Sequence, residues 1–233
     1  MISIVIPVYN QAAKLGQTLL SIQAQSYRDF EVIIVNDGSS DNPEKYFSEF
    51  IAKLKPENNY VFLNQSNQGA PAARNRGRQE AKGEYLFFCD ADAILSPRAL
   101  EIMWSALEEH WSASYAYSSF KWGRKLFRLE EFNPDKLRQL PYIHTMSLIR
   151  TKDFPVAGWD QSIKKLQDWD LWLTMLEDGK LGLYIPEVLF TVSPGGTIST
   201  WLPAFAYKLL PFLPAVKKYK RALKIVKEKH GLA

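Results

Sequence analysis

The sequence predicts an α/β fold, a mainly parallel central sheet sandwiched by helices. Three observations carry that prediction. Short apolar runs alternate with stretches of helical periodicity four times over residues 1–110, the order that builds a parallel sheet covered on both faces. Each run (Ile2–Pro7, Phe30–Val35, Tyr60–Leu63, Tyr85–Cys89) is predominantly apolar rather than alternating, broken only by Ser3 and Glu31, as expected of strands buried on both sides. Each run also ends in a polar cluster: Pro7–Asn10, Asn36–Asp41, Asn64–Gly69 and Asp90–Asp92. Parallel sheets bind ligands at the carboxyl ends of their strands.

In chain order, Ile2–Pro7 is a β-branched strand stopped by Pro7, which has no donor for a ladder. Leu15, Leu19 and Ile22 recur at helical spacing, giving a helix to about Gln25. After Phe30–Val35 the Ser and Asp side chains of Asn36–Asp41 suit the cap of the next helix, which carries Tyr46, Phe47, Phe50, Ile51 and Leu54 on one face. Tyr60–Leu63 precedes a helix over Pro71–Ala81 bearing Arg74, Arg76 and Arg78, with Gly83 as its C-cap. Beyond Tyr85–Cys89, Ser96-Pro97 reads as N-cap and N1 of a helix reaching about His110. The second half is less regular. It offers a strand or hairpin over Tyr115–Phe127 turning at Gly123, a short strand over Thr145–Ile149, and a helix over Gln167–Leu176 ended by Gly179. Two short strands, Leu181–Ile185 and Val188–Val192, flank Pro186-Glu187; Ser193–Ser199 reads as a flexible loop, and the chain from Trp201 as an apolar, then basic, helical tail.

Asp90 and Asp92 are the most telling pair. Positions i and i+2 of an extended backbone share a face, so two carboxylates meet one object, and like charges that close repel. A divalent cation resolves the repulsion; a strand-exit turn built on Asp92 is the alternative.

Composition narrows the rest. At 233 residues, 46% hydrophobic and 23% charged, the chain is globular, with room for one large domain or two small ones. The net charge of +4 is concentrated in the second half, and Lys217–Lys229 alone holds seven Lys/Arg against one Glu. That balance is too weak to argue for nucleic acid. Cys89 is the single cysteine, so no intrachain disulfide forms, which fits a reducing compartment. MISIVIPVYN lacks the basic region and long apolar core of a signal peptide, and no apolar run reaches the roughly 18 residues of a membrane span. The expected location is cytoplasmic.

Five motifs then read together: SIVIPVYN at 3–10, VIIVNDGSSD at 32–41, NQGAPAARNRG at 67–77, YLFFCDAD at 85–92 and QDWDLWL at 167–173. Their order resembles the family 2 glycosyltransferases of GT-A fold, over about residues 1–200. The resemblance implies inverting transfer of a sugar from a nucleotide-diphosphate sugar, with UDP the expected nucleotide, to a carbohydrate or lipid-linked acceptor of the cell-envelope polysaccharide kind. Residues 1–110 would be the nucleotide-sugar-binding half, 111–200 the acceptor half, and 201–233 the tail.

The resemblance also assigns roles. Pro7 and Tyr9 of the first loop and Asp37 of the second would grip the nucleotide, Tyr9 by stacking and Asp37 as an acceptor; a core-edge aromatic and a helix cap are the plainer readings. Asn67 and Gly69 would line the donor site, Gly69 by letting the backbone approach closely, and Arg74 and Asn75 would lie near the donor, with Arg76 a solvated charge. Asp90 and Asp92 match the family's metal motif and would hold Mn2+ or Mg2+ against the diphosphate, Asp92 as the direct ligand. Asp168 would be the general base, with an N-cap as the plainer reading, and Asp170 its support. Trp169 and Trp172 fit an acceptor pocket, with the core as the alternative for Trp172 and Leu173. The three histidines are scattered and read as structural. Two departures from the family are Gln167, where many members have Glu, and the loop 191–199, which lacks the family's Arg or His. There the amides of Gly195-Gly196 or the hydroxyls of Thr197 and Ser199 would substitute, and a non-catalytic sugar-nucleotide-binding relative is the alternative function. The aromatic and basic residues of 201–229 suit peripheral contact with an anionic membrane face.

Overall fold

The computed structural model describes residues 1–194 and 212–232. Four strands, β1 (Ile2–Val8), β2 (Phe30–Asp37), β3 (Asn59–Gln65) and β4 (Tyr85–Phe88), alternate with α1 (Ala12–Gln23), α2 (Pro43–Leu54) and α3 (Ala70–Glu80). They pair in parallel in the order β3-β2-β1-β4. Beyond β4 the sheet continues as β8 (Leu148–Arg150), β6 (Tyr115–Trp122), β9 (Gly182–Val192) and β5 (Ala93–Leu95), with β7 (Lys125–Phe127) hairpinned onto β6. The β4–β8, β8–β6 and β9–β5 pairs are antiparallel, and β6–β9 is parallel. α4 (Ala99–Glu109), α5 (Pro134–Gln139), α6 (Gln167–Glu177) and α7 (Pro214–Lys229) complete the described helices. The α/β sandwich and its four parallel strands are therefore as the sequence predicts.

The apolar runs are buried on both faces because each face has its own core. Ile2, Ile4 and Ile6 point to one cluster, completed by Leu15, Leu19 and Ile22 of α1. Val5, Ile33 and Val35 point to the other, completed by Trp169 and Trp172 of α6.

Several local expectations are corrected. Pro7 does not end β1; the strand runs on to Val8. Val5 O accepts from Cys89 N on the β4 side; two residues on, Pro7 turns its donorless nitrogen the same way, past the end of β4, so no ladder bond is lost. Gly83 does not cap α3, whose C-cap is Ala81 in extended conformation. It is needed for closeness: a Cβ there would lie 2.7 Å from Ser3 N and 2.8 Å from Met1 O. Its N–H donates to Ser3 Oγ, which in turn donates to the buried Glu31 carboxylate. Asp41 accepts from Ala12 N at 2.7 Å and so caps α1, while Asn42 caps α2. α4 begins at Ala99, and Ser96-Pro97 forms the preceding turn, because β5 occupies Ala93–Leu95. The two strands expected around Pro186 are one strand, β9, with the proline at a bulge between Ile185 and Val188. The strand expected over Thr145–Ile149 is limited to Leu148–Arg150. α5, not predicted from the sequence, starts at an Asn133-Pro134 cap, with Asn133 Oδ1 accepting from Lys136 N.

Of the expected tail, the described part is helical and packed. Val216, Ala222 and Val226 are buried, and the helix end is pinned to α6: Lys229 Nζ pairs with Asp160 and Asp170, and His230 bonds Asp170 at 2.9 Å and Glu177 at 2.7 Å. Trp201, Phe205 and Leu209 lie outside the described residues. No described helix is long and apolar enough to cross a membrane. Burial alone would lower the His230 pKa from 6.5, but its bonds to the two carboxylates outweigh that and raise it. The stabilisation is then complete below the ordinary value and is lost as pH rises through the raised one. His230→Gln is expected to destabilise the fold at about pH 6, with a difference that shrinks towards about pH 9 in parallel urea titrations.

Candidate active site

A cleft of about 480 Å3 opens at the carboxyl ends of β1, β2 and β4. Nine of the residues singled out from the sequence, Pro7, Tyr9, Asp37, Asn67, Gly69, Arg74, Asp90, Asp92 and Asp168, line it. Parallel strands end at one edge of the sheet and deliver seven of them; α3 delivers Arg74, and the first turn of α6 delivers Asp168 from the other half of the chain.

The nucleotide-side loops are sewn to one another. Asn10 N donates to Ser39 Oγ, and Ser40 N donates to Asn10 Oδ1. Asp37, 2% exposed, accepts from Gln65 Nε2 at 2.8 Å, Gln68 N at 2.9 Å and Gly69 N at 2.8 Å, while Asn67 Nδ2 donates to the Asp37 carbonyl. Its carboxylate thus organises the loop before α3, with one lone pair of Oδ2 left for a ligand. Gly69 is required by its dihedral, φ +95°, and not by crowding, since a Cβ there would meet only Pro71 Cδ at 3.8 Å. Tyr9 is 40% exposed, its ring open to a stacking partner.

Arg74 joins the halves. The side chain is 6% exposed; Nη2 meets Asp90 Oδ1 at 3.3 Å, Nη1 donates to Gln167 Oε1 at 3.0 Å, and the guanidinium lies 4.7 Å over the Trp159 ring. Its Nε is buried with no partner. Arg76 is exposed and paired with Glu80. Asn75 does not face the cleft as expected; its side-chain amide pairs with both N and O of Trp159, tying the 158–166 segment to α3.

Asp92 is 6% exposed, 3.5 Å from Lys14 Nζ. Burial, then the charge of Asp90, raises its pKa, with Lys14 opposing. Asp168 is half-buried, and burial raises its carboxyl despite the opposing influence of His144, the Trp169 N–H and Arg74. Leu166, the residue immediately before α6, sits at φ +59° and lines the cleft. A leucine in the left-handed region is a strained position. Asp170 faces away from the cleft, towards Lys229 and His230. Trp169 and Trp172 are core: their indole N–H groups donate to Leu137 O and Ile143 O.

The sequence reading missed His144, which lines the cleft 3.9 Å from Asp90 Oδ2. Lys14, Gln11, Trp122, Thr145, Lys164 and Leu166 were missed as well, and no local pattern marks them. Gly195, Gly196, Thr197 and Ser199 lie outside the described residues.

A curled, mostly parallel sheet between helices, with its cleft at the strand ends and an Asp-x-Asp pair beside it, is the GT-A architecture of glycosyltransferases. Two solved structures share it. The S. aureus TarS fragment 1–349 in complex with UDP-GlcNAc superposes with TM-score 0.69 and 19% identity, over 91% of this chain and 64% of that one. A mannosyltransferase from Pyrobaculum calidifontis in complex with GDP-Man and Mn2+ gives 0.70 and 16%, over 97% and 75%. Residues 3–159 match glycosyl transferase family 2, and the chain belongs to that family. An uncharacterised glycosyltransferase of Rickettsia conorii is 26% identical over 211 residues, 84% of this chain and 33% of that protein. The chain spans 33% to 63% of the lengths of the first three such relatives.

Replacing Asp37 by Ala strands three donors and is expected to cost about 2–4 kcal/mol in the ligand-free protein. Tyr9→Ala, at an exposed ring, should leave the urea midpoint nearly unchanged.

Proposed function

We propose that the chain is an inverting glycosyltransferase that moves a sugar from a nucleotide-diphosphate donor to an acceptor hydroxyl, with Asp168 as general base. The observation that carries this reading is the meeting, in one cleft, of the strand-end pair Asp90/Asp92 with an up-shifted carboxylate from the opposite half. A raised pKa makes Asp168 a better proton acceptor than an ordinary carboxylate. Attack from its side, opposite the leaving diphosphate, inverts the anomeric carbon. Residues 1–110 then serve the donor: Tyr9 stacks on the base, Pro7, Asp37, Asn67 and Gly69 shape its pocket, and Arg74 holds anionic oxygens. Residues 111–200 serve the acceptor. UDP or GDP is the nucleotude class suggested by the two solved complexes, UDP being the first to test.

The donor set suits a hard divalent cation. Asp90 and Asp92 offer only oxygen, and no group of three or more His, Cys, Asp or Glu arranged to hold a metal ion occurs among the described residues. Mn2+ or Mg2+ commonly takes its remaining ligands from phosphate and water. Asp92, with Asp90 beside it, would hold the ion, whose chemistry when bound is to offset charge on the departing diphosphate. The residues meanwhile act by themselves: Lys14 and Arg74 hold the two carboxylates apart in charge, and Asp168 takes the acceptor proton.

Asp168→Asn is expected to lower kcat by roughly a hundred- to ten-thousand-fold with little change in donor KM. Asp92→Ala should abolish the dependence of transfer on added Mn2+. Transfer unchanged in both variants would refute the mechanism.

A lipid-linked acceptor fits α7. Lys217, Lys218, Lys220, Arg221 and Lys224 form an exposed basic face opposite its buried one, beside the exposed Phe212 and Ile225. An anionic bilayer attracts each such charge by about 1 kcal/mol. Changing the five to Gln should release the full chain from phosphatidylglycerol vesicles in co-sedimentation; unaltered binding would remove the membrane contact.

A further inference from the structure

His144 has no role in the mechanism above, yet its ring is fixed as firmly as any group in the cleft. Met146 N–H donates to Nδ1 at 3.1 Å, so Nδ1 is the unprotonated nitrogen and the neutral ring carries its proton on Nε2. Ser147 Oγ donates to the His144 carbonyl at 2.9 Å, and the preceding carbonyl, of Ile143, accepts from Trp172 Nε1 at 3.1 Å. The rings of Phe120 and Phe190 pack against the imidazole at centroid distances of 4.7 and 5.2 Å. The tautomer leaves Nε2 without a lone pair for a metal.

Asp90 Oδ2 lies 3.9 Å from Nε2. That separation is too long for a hydrogen bond but short enough for one oxygen atom to reach both groups. Such an oxygen must accept from Nε2–H and donate to Oδ2. A hydroxyl does both; a carbonyl or a phosphate oxygen does not. Arg74 holds the other carboxylate oxygen of Asp90, so Oδ2 stays turned to His144.

We propose that His144 and Asp90 form a clasp for one hydroxyl of the donor sugar, with His144 determining donor specificity. The inference rests on the glycosyl-transfer reading. The hydroxyl belongs to the donor because Asp90 stands beside Asp92, where the diphosphate carrying that sugar is placed. Sites built to hydrogen-bond a substrate hydroxyl reject analogues lacking it by large factors, because their own polar groups are then left unpaired.

The test uses the full chain, His144→Phe (which keeps an aromatic ring against Phe120 and Phe190 but has no N–H) and His144→Gln. A panel of UDP- and GDP-linked sugars identifies a donor that the wild type turns over, and analogues of that sugar each lacking one hydroxyl are then compared. The wild type should lose about tenfold or more in kcat/KM with one analogue, and His144→Phe a similar factor with the intact donor. With that one analogue His144→Phe should show no further loss, His144→Gln should recover part of the loss with the intact donor, and affinity for sugar-free UDP or GDP should not change. The clasp is overturned if the losses multiply for every analogue, if His144→Phe weakens the sugar-free nucleotide equally, or if it retains full activity. A wild-type chain that turns over no donor refutes the glycosyl-transfer reading instead; calorimetric affinities for the nucleotide sugar of the panel that binds most tightly, and for its analogues each lacking one hydroxyl, then make the same comparison for the clasp.

Discussion

The buried guanidinium of Arg74 is the interaction on which the rest of the cleft depends. It stands on α3, yet its partners come from three other segments: Asp90 at the end of β4, Gln167 at the start of α6 and Trp159 in the segment between β8 and α6. A cation this buried must keep its partners, since losing one leaves an uncompensated charge away from water. Arg74 therefore fixes the distance between the strand-end carboxylates and the helix that carries Asp168. Its unpartnered Nε shows that the arrangement is not optimised for stability alone.

Around that cation, two independent scaffolds converge. The parallel strands supply a rigid edge whose loops are tied together by Asp37, Asn10, Ser39 and Ser40. The opposite wall hangs on α6, whose indoles grip the carbonyls of Leu137 and Ile143 and so position both α5 and His144. On its outer face α6 is held by Lys229 and His230 of the C-terminal segment through Asp170. One short helix thus connects the acidic residue of the cleft to the end of the chain, and the strained Leu166 marks where the backbone bends to make that geometry.

Legibility followed the range of the physics. Strand and helix identity in residues 1–110 came from apolar period and turn residues, which are local, and seven of the nine proposed site residues reached one cleft because parallel topology brings strand ends together, while Arg74 and Asp168 arrived on α3 and α6. The errors were equally physical. β5 is three residues long and exists only because β9 offers it a partner; Gly83 looked like a cap but answers to Ser3, 80 positions away. Asn75 read as ligand-facing from its motif, and it spends its side-chain hydrogen bonds inside the chain.

By itself the sequence determined the α/β class, the order of the first four strands and helices, the buried run ending in Asp90 and Asp92, and the family. These follow from periodicity and from residues adjacent in the chain, whose effects do not need a fold to be read. Only the tertiary structure decided that Arg74 links Asp90 to Gln167, that Trp169 and Trp172 are core, and that one of three scattered histidines stands beside the carboxylates. His144 lies 54 positions from Asp90 and carries no motif; a contact at that separation is created by the antiparallel return of β8 against β4, and no window of sequence contains it.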